Sequence, residues 1–496
     1  MNTLKEINMK RIIILFFLPV ALFTNSCTKD LTSTEYAEIN PNIFPKSAED
    51  LEAMVNACYY PIRGSWWDGL FSTSERGIQF LNDATTEILF GKFGDQQLAS
   101  LQSYQPSHPG FTRFYDDFYN KISRMTITID LIQNSTVSEE LKKKAIAEVR
   151  CARGLLAYTL FDVYGPLVIA PLEVLKNPLQ EKPLARLSNE EMVAYIDADL
   201  EAAVPDLPAP GDAEYGRFSK ALAKMIQIRL HLHEKNWAKV NTLCDEIIAM
   251  NAFSLQPDYK SMWDLEGARN SPEVIWAIPC DYTGTSENQW QMMVLPSNYP
   301  VMGGWGTITS TWWFYDRFES NDKRREMLIA EYTGTDGVTY NRASPGAILD
   351  RGPIALKINE DNQRTTSLTT VDIIIYRYAD VLLSKAEALA NAGAPTAEAM
   401  ELVNVVRRRA GLADKQLADY SSLTAFNDLI LLERSHEFWC ENGQYRADLI
   451  RHGKFISRCQ EVTQSTFTAP HKVLYPLSLR AVSEGKGLFI QNPGYN

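Results

Sequence analysis

Residues 219–250 read SKALAKMIQIRLHLHEKNWAKVNTLCDEIIAM. Leu222, Met225, Ile226, Arg229 and Leu230 recur at three- and four-residue steps, which places them on one face of an α-helix. Glu234-Lys235-Asn236 supplies a polar turn. Trp237, Val240, Leu243, Cys244, Ile247 and Ile248 then mark a second helix. Two amphipathic helices joined by so short a turn lie antiparallel. Such a hairpin leaves an apolar face uncovered and has to stack on others like it.

Working outward, the same pattern recurs. Residues 378–410 contain YADVLLSKAEALANAG and PTAEAMELVNVVRRRAG, with Gly393 and Gly411 as stops and Pro395 at a start. A third pair is split. One helix runs from Lys142 to Tyr164 and is ended by Gly165-Pro166. Its partner opens at Ser188, with Glu191 completing a capping box, and runs to about Ala203. A fourth pair joins 48–60 to 114–133. Helix pairs of about 34 residues with alternating alanines and bulky apolar residues resemble tetratricopeptide repeats. Long insertions rich in Gly, Pro and aromatic residues separate them, at 61–113, 165–187 and 251–371. The expected fold is mainly α: about four tetratricopeptide-like helix pairs form a scaffold, beside a large irregular, loop-rich half with a few short strands, one of them at 274–278. Loops of this length in a compact domain usually carry function.

Composition narrows the class. The chain has 496 residues, 45% apolar and 22% charged, the values of an ordinary globular protein. With 49 basic and 61 acidic residues the formal charge is −12, which argues against a nucleic-acid binder. Lys10 and Arg11 precede a twelve-residue apolar stretch, Ile12 to Phe23, too short to span a bilayer and the right length for a secretion signal. Cys27 follows Ser26 just past that stretch, as at a bacterial lipoprotein cleavage site, and is the expected lipidation residue. Residues 1–26 are thus read as signal peptide, 27–45 as a lipid-anchored tether and 46–496 as one domain. The six remaining cysteines are far apart, and the reading is small buried hydrophobes.

Catalytic and metal motifs are missing. His436-Glu437 begins like a zinc-protease motif, but the second histidine position holds Cys440. There is no phosphate-binding loop, no nucleophile elbow and no calcium loop. No cofactor, metal or catalytic residue is called for. What stands out is aromatic: six of the ten tryptophans lie between 263 and 313. Trp263, Trp276, Trp237 and Trp439 sit in regular patterns and read as core. Trp290, Trp305, Trp312 and Trp313 sit in the insertion, Trp305 among Gly303, Gly304 and Gly306, with Tyr282 nearby. The earlier insertion adds Trp66, Trp67, Phe90 and Phe93, with Asn82, Asp83 and Gln97. A sugar offers a flat C–H face and a rim of hydroxyls, so its binder needs flat rings with Asp, Asn, Gln or Arg beside them. Trp305, Trp312, Trp313, Trp290, Tyr282, Trp66 and Phe93 are the candidate stacking residues, and Asp83 and Gln97 the candidate hydroxyl partners. Glu433, Arg434, Glu437, Arg446 and Asp448 read instead as an ion-pair network joining the last helices, and Arg407–Arg409 as a solvated helix face.

Six segments carry a resemblance. They are EVRCARGLLAYTLFDVYGPLVI (148–169), GRFSKALAKMIQIRLHLHEKNWAKVNTLCDEII (216–248), YRYADVLLSKAEALANAG (376–393), VNVVRRRAGL (403–412), ERSHEFWCENGQYRADLIRHG (433–453) and LYPLSLRAVSEGKGLFIQNPGYN (474–496). In this order, after a lipoprotein-like start, they resemble the SusD/RagB family of Bacteroidetes outer-membrane lipoproteins. Asn442, between Glu441 and Gly443, departs from the family's pattern.

The resemblance implies a cell-surface protein that captures a nutrient, usually an oligosaccharide, and hands it to a SusC-like TonB-dependent transporter. It implies a lipid anchor in the outer membrane through Cys27, no enzyme activity, and a ligand site in the irregular half, insertions 61–113 and 251–371. The rival readings are a surface glycan hydrolase, a peptide or other-nutrient binder on the same scaffold, and an assembly factor with no small ligand.

Overall fold

Ser47 and Ser188 each accept a hydrogen bond from the backbone N–H three residues on, while that residue's carboxylate accepts from the cap's own N–H. These capping boxes fix where two helices start, at about 1 kcal/mol each. In the computed structural model, which describes residues 44–495 apart from 67, 178, 180, 181, 282–285, 345–347 and 360–367, ten helices frame the fold. They are α1 (Ala48–Tyr59), α2 (Pro109–Gln133), α3 (Glu139–Tyr164), α4 (Asn189–Ala203), α5 (Lys220–His233), α6 (Trp237–Ala249), α7 (Tyr378–Asn391), α8 (Ala397–Arg409), α9 (Leu423–Phe438) and α10 (Tyr445–Arg451). Among the described residues the remaining helices are short, and the strands form two-stranded sheets. The protein is mainly α, as its sequence pattern predicts. The signal, Cys27 and nearly all of the tether lie outside the described residues.

The α5–α6 and α7–α8 hairpins form as expected and pack together through α6 and α7. Their turns differ in chemistry: Lys235 takes a left-handed conformation (φ 55°) between α5 and α6, and Thr396 caps α8. Ala379, Ala386 and Ala390 of α7 present no bulk. Met400, Val403 and Val406 of α8 and Phe426, Leu429 and Ile430 of α9 therefore close over them in one buried cluster. The split pair α3–α4 also forms. It crosses where Gly154 leaves room for Leu200, whose Cδ2 would lie 2.8 Å from an added Cβ. The fourth pair needs correction. α2 pairs chiefly with α3, joined by a five-residue link, and α1 lies mainly across α3. The reason is that α3 is buried on nearly every side from Cys151 to Tyr164 and serves α1, α2 and α4 together.

Charged groups tie the insertions to this scaffold. Glu437 of α9 accepts from Arg377, Arg409 and Arg324, the last at 3.0 Å. Arg324 also binds Asp322 (2.7 Å) and Glu433 (2.6 Å), and Arg377 binds Glu273 (2.6 Å) and Glu441 (2.8 Å). Lys357 meets Glu441 (2.5 Å) and the carbonyls of Glu437 and Trp439. A second cluster holds Asp448 between Arg434 (2.7 Å), Arg451 (2.9 Å) and Arg229 (3.2 Å). All these side chains are buried. Two expectations change here. Arg407 and Arg409 are not solvated: they pair with Glu433, Glu319, Glu273 and Glu437, and only Arg408 faces water. Arg446 does not join the carboxylates. It donates to the carbonyls of Lys472 and Val473 and lies over the Tyr475 ring, 4.3 Å from its centroid.

The two large insertions are also joined to each other. Strand Leu89–Gly91 pairs antiparallel with Ile308–Ser310. Lys92 N–H donates to Thr307 O (2.9 Å) and Ser310 Oγ to Ile88 O (2.8 Å). Glu287 N–H donates to Gly64 O (2.6 Å). The strand expected at Val274–Ile278 forms against Ile373–Arg377, and Trp276 is buried within it. Trp263 and Trp439 are buried as expected, whereas Trp237, first in α6, is only half-buried. Cys58, Cys151, Cys244, Cys280, Cys440 and Cys459 are all buried and unpaired with one another, and burial pushes the Cys58 thiol up to about 12.

Candidate functional site

The residues singled out by sequence separate into three groups. Trp290 and Asp83 belong to the core. Trp290 is fully buried and its indole N–H donates to Ala355 O (2.8 Å). Its ring follows a helical turn into the interior, so it cannot meet a ligand. Asp83 is also fully buried and accepts the Cys440 N–H at 3.0 Å. Burial pushes its carboxyl well above the usual range, and its work is to hold the turn after α9. Tyr282 lies outside the described residues.

Trp312 and Trp313 form a second group, half-exposed at a short helical turn capped by Thr311. Their N–H groups donate to Leu349 O (2.9 Å) and Glu461 (3.1 Å). Guanidinium groups lie over both: Arg342 stands 4.0 Å from the Trp312 centroid, and Arg317 and Arg458 stand 3.0 and 4.7 Å from that of Trp313. These rings are therefore partly occupied by cation–π partners.

Trp66 and Trp305 form the third group. One comes from each insertion, yet their ring centroids stand 5.0 Å apart at an interplanar angle of 58°. Trp305 is 53% exposed and Trp66 half-exposed. An exposed tryptophan this large presents apolar area that a monomer ordinarily buries. The loop holding Trp305 is rigid for a reason visible in its glycines. A Cβ on Gly303 would lie 2.1 Å from Ser297 O, and one on Gly304 2.5 Å from Met292 O. The chain thus folds flat on its own backbone, and Trp305 N–H donates to Met292 O (2.7 Å). These glycines serve the loop's own support. Phe93, 60% exposed, follows Lys92 on the segment bonded to Thr307, and Gln97 is half-exposed one turn further on.

Beside this pair is a cleft of about 120 Å³ lined by Glu75, Arg76, Asp95, Gln96, Arg113 and Asp117 over a floor that includes Phe80 and Phe114. The connection is short. Gln96 Nε2 is 3.5 Å from Thr307 Oγ1, two residues past Trp305, and Ser74 Oγ donates to Trp66 O (3.3 Å) just before Glu75. Arg113 pairs with Asp117 at 3.1 Å, and Arg76 lies 3.9 Å from Glu75. Burial and the Arg113 charge pull Arg76 below its usual value. His108 caps α2: its Nδ1 accepts from Gly110 N–H (3.1 Å) and its Nε2 meets Asp95 O (3.0 Å). Alternating carboxylates and guanidinium groups offer acceptors and donors to hydroxyls at a small net charge. Sequence reasoning missed the cleft, because nothing in the sequence sets Arg113 and Asp117 apart from any other i,i+4 charge pair on a helix. Among the described residues no three His, Cys, Asp or Glu side chains converge as metal ligands.

Comparison with known proteins bears on this arrangement. The SusD family model matches residues 328–495. The SusD-like protein P25 of Formosa agariphila is 25% identical, with 95% of this chain and 96% of the relative aligned. Along its length the chain is similar to proteins of the SusD/RagB family. The starch-binding protein SusD of Bacteroides thetaiotaomicron is a more distant relative, 23% identical over 83% of this chain and 84% of its own. Among solved structures, the surface glycan-binding protein A of Bacteroides thetaiotaomicron, in complex with laminarihexaose, superposes with a TM-score of 0.72. It is 20% identical and covers 90% of this chain and 99% of its own. That likeness carries the fold: helix pairs of tetratricopeptide type supporting an irregular half.

Proposed function

We propose that this protein is a cell-surface lipoprotein that binds an oligosaccharide and delivers it to a TonB-dependent outer-membrane transporter of the SusC type. The observation that carries the binding part is the exposed Trp66–Trp305 pair beside a cleft of paired carboxylates and guanidinium groups. Rings supply the face contact, and the cleft supplies hydroxyl partners. A relative named for starch binding and a structural neighbour holding laminarihexaose support the ligand class. In this reading the insertions 61–113 and 251–371 are the ligand-binding half of a single domain, 46–496. Phe93, Gln97, Trp312 and Trp313 flank the platform. Cys27 carries the lipid, and residues 27–45 tether the body to the membrane.

The test is retention on native gels cast with laminarin, amylopectin, arabinoxylan or galactomannan, with reducing ends assayed in parallel. Retardation by at least one glycan without release of reducing ends supports capture. Turnover would make the protein a hydrolase, and no retardation by any of them would remove the glycan reading.

A further inference from the structure

Glu461, on the helix Phe455–Thr463, sets its carboxylate against the Trp313 turn. Three donors surround it. Trp313 Nε1–H donates to its Oε1 at 3.1 Å and Arg317 Nη2–H to the same oxygen at 3.4 Å, while Arg458 Nε lies 4.0 Å from its Oε2. A guanidinium–carboxylate bond ordinarily spans about 2.7–2.9 Å. Glu461 is therefore a loose occupant. One oxygen is shared between two long bonds, and the other stands beyond hydrogen-bond range of Arg458. Its side chain is 54% exposed.

The donors, in contrast, are held in place. The Arg317 guanidinium stands 3.0 Å from the Trp313 ring centroid, and its Nη1 donates to Trp313 O at 3.3 Å. Arg458 stands 4.7 Å from the same centroid, and its Nη1 donates to Glu87 at 2.7 Å. Glu87 is buried and also accepts the Tyr445 hydroxyl at 2.7 Å, so its charge stays inside with Arg458. Arg317 has no buried carboxylate of this kind. Burial and the repulsion of Arg458 pull it below its usual value, the nearby Glu461 notwithstanding. Two guanidinium groups clamped to one indole thus share a single half-exposed carboxylate. Their ordering cost is met before any ligand arrives. An exposed ion pair such as Arg317–Glu461 adds little to stability, because water and salt screen it, so displacing Glu461 is easy.

We propose that Arg317 and Arg458, held on Trp313, bind the carboxylate of a uronic acid, and that Glu461 swings aside to admit it. The present occupant names the ligand group: the donors already bind a carboxylate, but one tied to its own helix that fits neither guanidinium fork closely. A carboxylate free to move can accept from both forks and from the indole N–H together. The inference rests on the glycan-binding reading above only for the kind of molecule that carries this group. A neutral glycan leaves Glu461 where it is.

The experiment labels the protein with 5-fluorotryptophan and titrates it with trigalacturonate and with the methyl ester of the same trisaccharide. The Trp313 fluorine resonance, identified by its loss in Trp313→Phe, is followed. The acid should shift it; the ester, which keeps the sugar and removes the charge, should not. Glu461→Gln removes the competing carboxylate and should tighten the acid about threefold, whereas Arg317→Gln should weaken it about tenfold. Both variants should melt with the parent, since both side chains stand at the surface. A Trp313 resonance unmoved up to about 10 mM acid, the range of one weak site, overturns the proposal. So does an equal response to acid and ester, or an affinity for the acid that Glu461→Gln fails to raise. Retardation by the four neutral glycans is read separately. Retardation without a Trp313 shift removes this site alone; a Trp313 shift without retardation removes the neutral-glycan reading and leaves this site standing.

Discussion

Replacing Asp448 by asparagine keeps the shape of the side chain and takes one negative charge from among three guanidinium groups. Arg434, Arg451 and Arg229 lie 2.7, 2.9 and 3.2 Å from its oxygens, all buried. Those charges, Arg434 foremost, outweigh the burial that opposes them and draw the carboxyl down from its usual 3.8 to about 2. At 1.36 kcal/mol per unit that is roughly 2.5 kcal/mol of stability at neutral pH. Leaving the guanidinium groups partly uncompensated brings the expected loss to about 3–5 kcal/mol. For a body of some 450 residues this is a fall in Tm of about 3–5 °C. The pH dependence has a definite sign. A depressed carboxyl stabilises fully above its ordinary value and loses that effect as pH falls through its folded value. The gap in Tm between parent and Asp448→Asn should thus be complete at pH 7 and shrink between about pH 4 and pH 2. Differential scanning calorimetry at pH 7, 4 and 3 reads it. Equal melting at pH 7, or a gap that persists undiminished at pH 3, would refute the assignment of this charge to a buried network.

Three further outcomes are expected. Trp290→Ala should cost about 3–5 kcal/mol in denaturant unfolding and leave glycan affinity of the folded protein unchanged, because the ring fills the core; lost affinity at full stability would return Trp290 to the site. Cys27→Ala should move the protein from the membrane fraction to the soluble fraction in cells lacking the transporter, and retention there would count against lipidation. Affinity for a neutral glycan should change less than about twofold between 50 and 500 mM salt, since stacking and hydroxyl contacts are weakly screened; a steep decline would indicate an anionic ligand.

How far the sequence was legible depends on range. Helix hairpins such as 219–250 and 378–410 are local, and their caps, stops and periodicity name them outright. The partner of α1 was not legible, because nothing in 48–59 says whether α2 or α3 will lie beneath it. The buried charges were half legible. Glu433, Arg434, Glu437 and Asp448 drew notice by density, but Arg377, Lys357 and Glu273 join them only through folding. Arg409 looked solvated in the run Arg407-Arg408-Arg409 for the same reason. Within the candidate site, composition found Trp305 and Trp66 separately and could not pair them, since Leu89–Gly91 meets Ile308–Ser310 across more than two hundred residues. It also could not separate Trp290 from Trp305: both stand in an irregular insertion, and only the tertiary contact of one indole with Ala355 O distinguishes them.

The most direct measurement is calorimetric titration of the parent and the Trp66→Ala/Trp305→Ala double variant with the glycan that retards the parent, with Tm recorded on the same samples. Two platform rings lost together should weaken binding by roughly 2–6 kcal/mol, at 1–3 kcal/mol per ring, with Tm shifted by less than about 2 °C because both rings stand at the surface. Undiminished affinity in the double variant, at an unchanged Tm, would contradict the placement of the ligand on this pair.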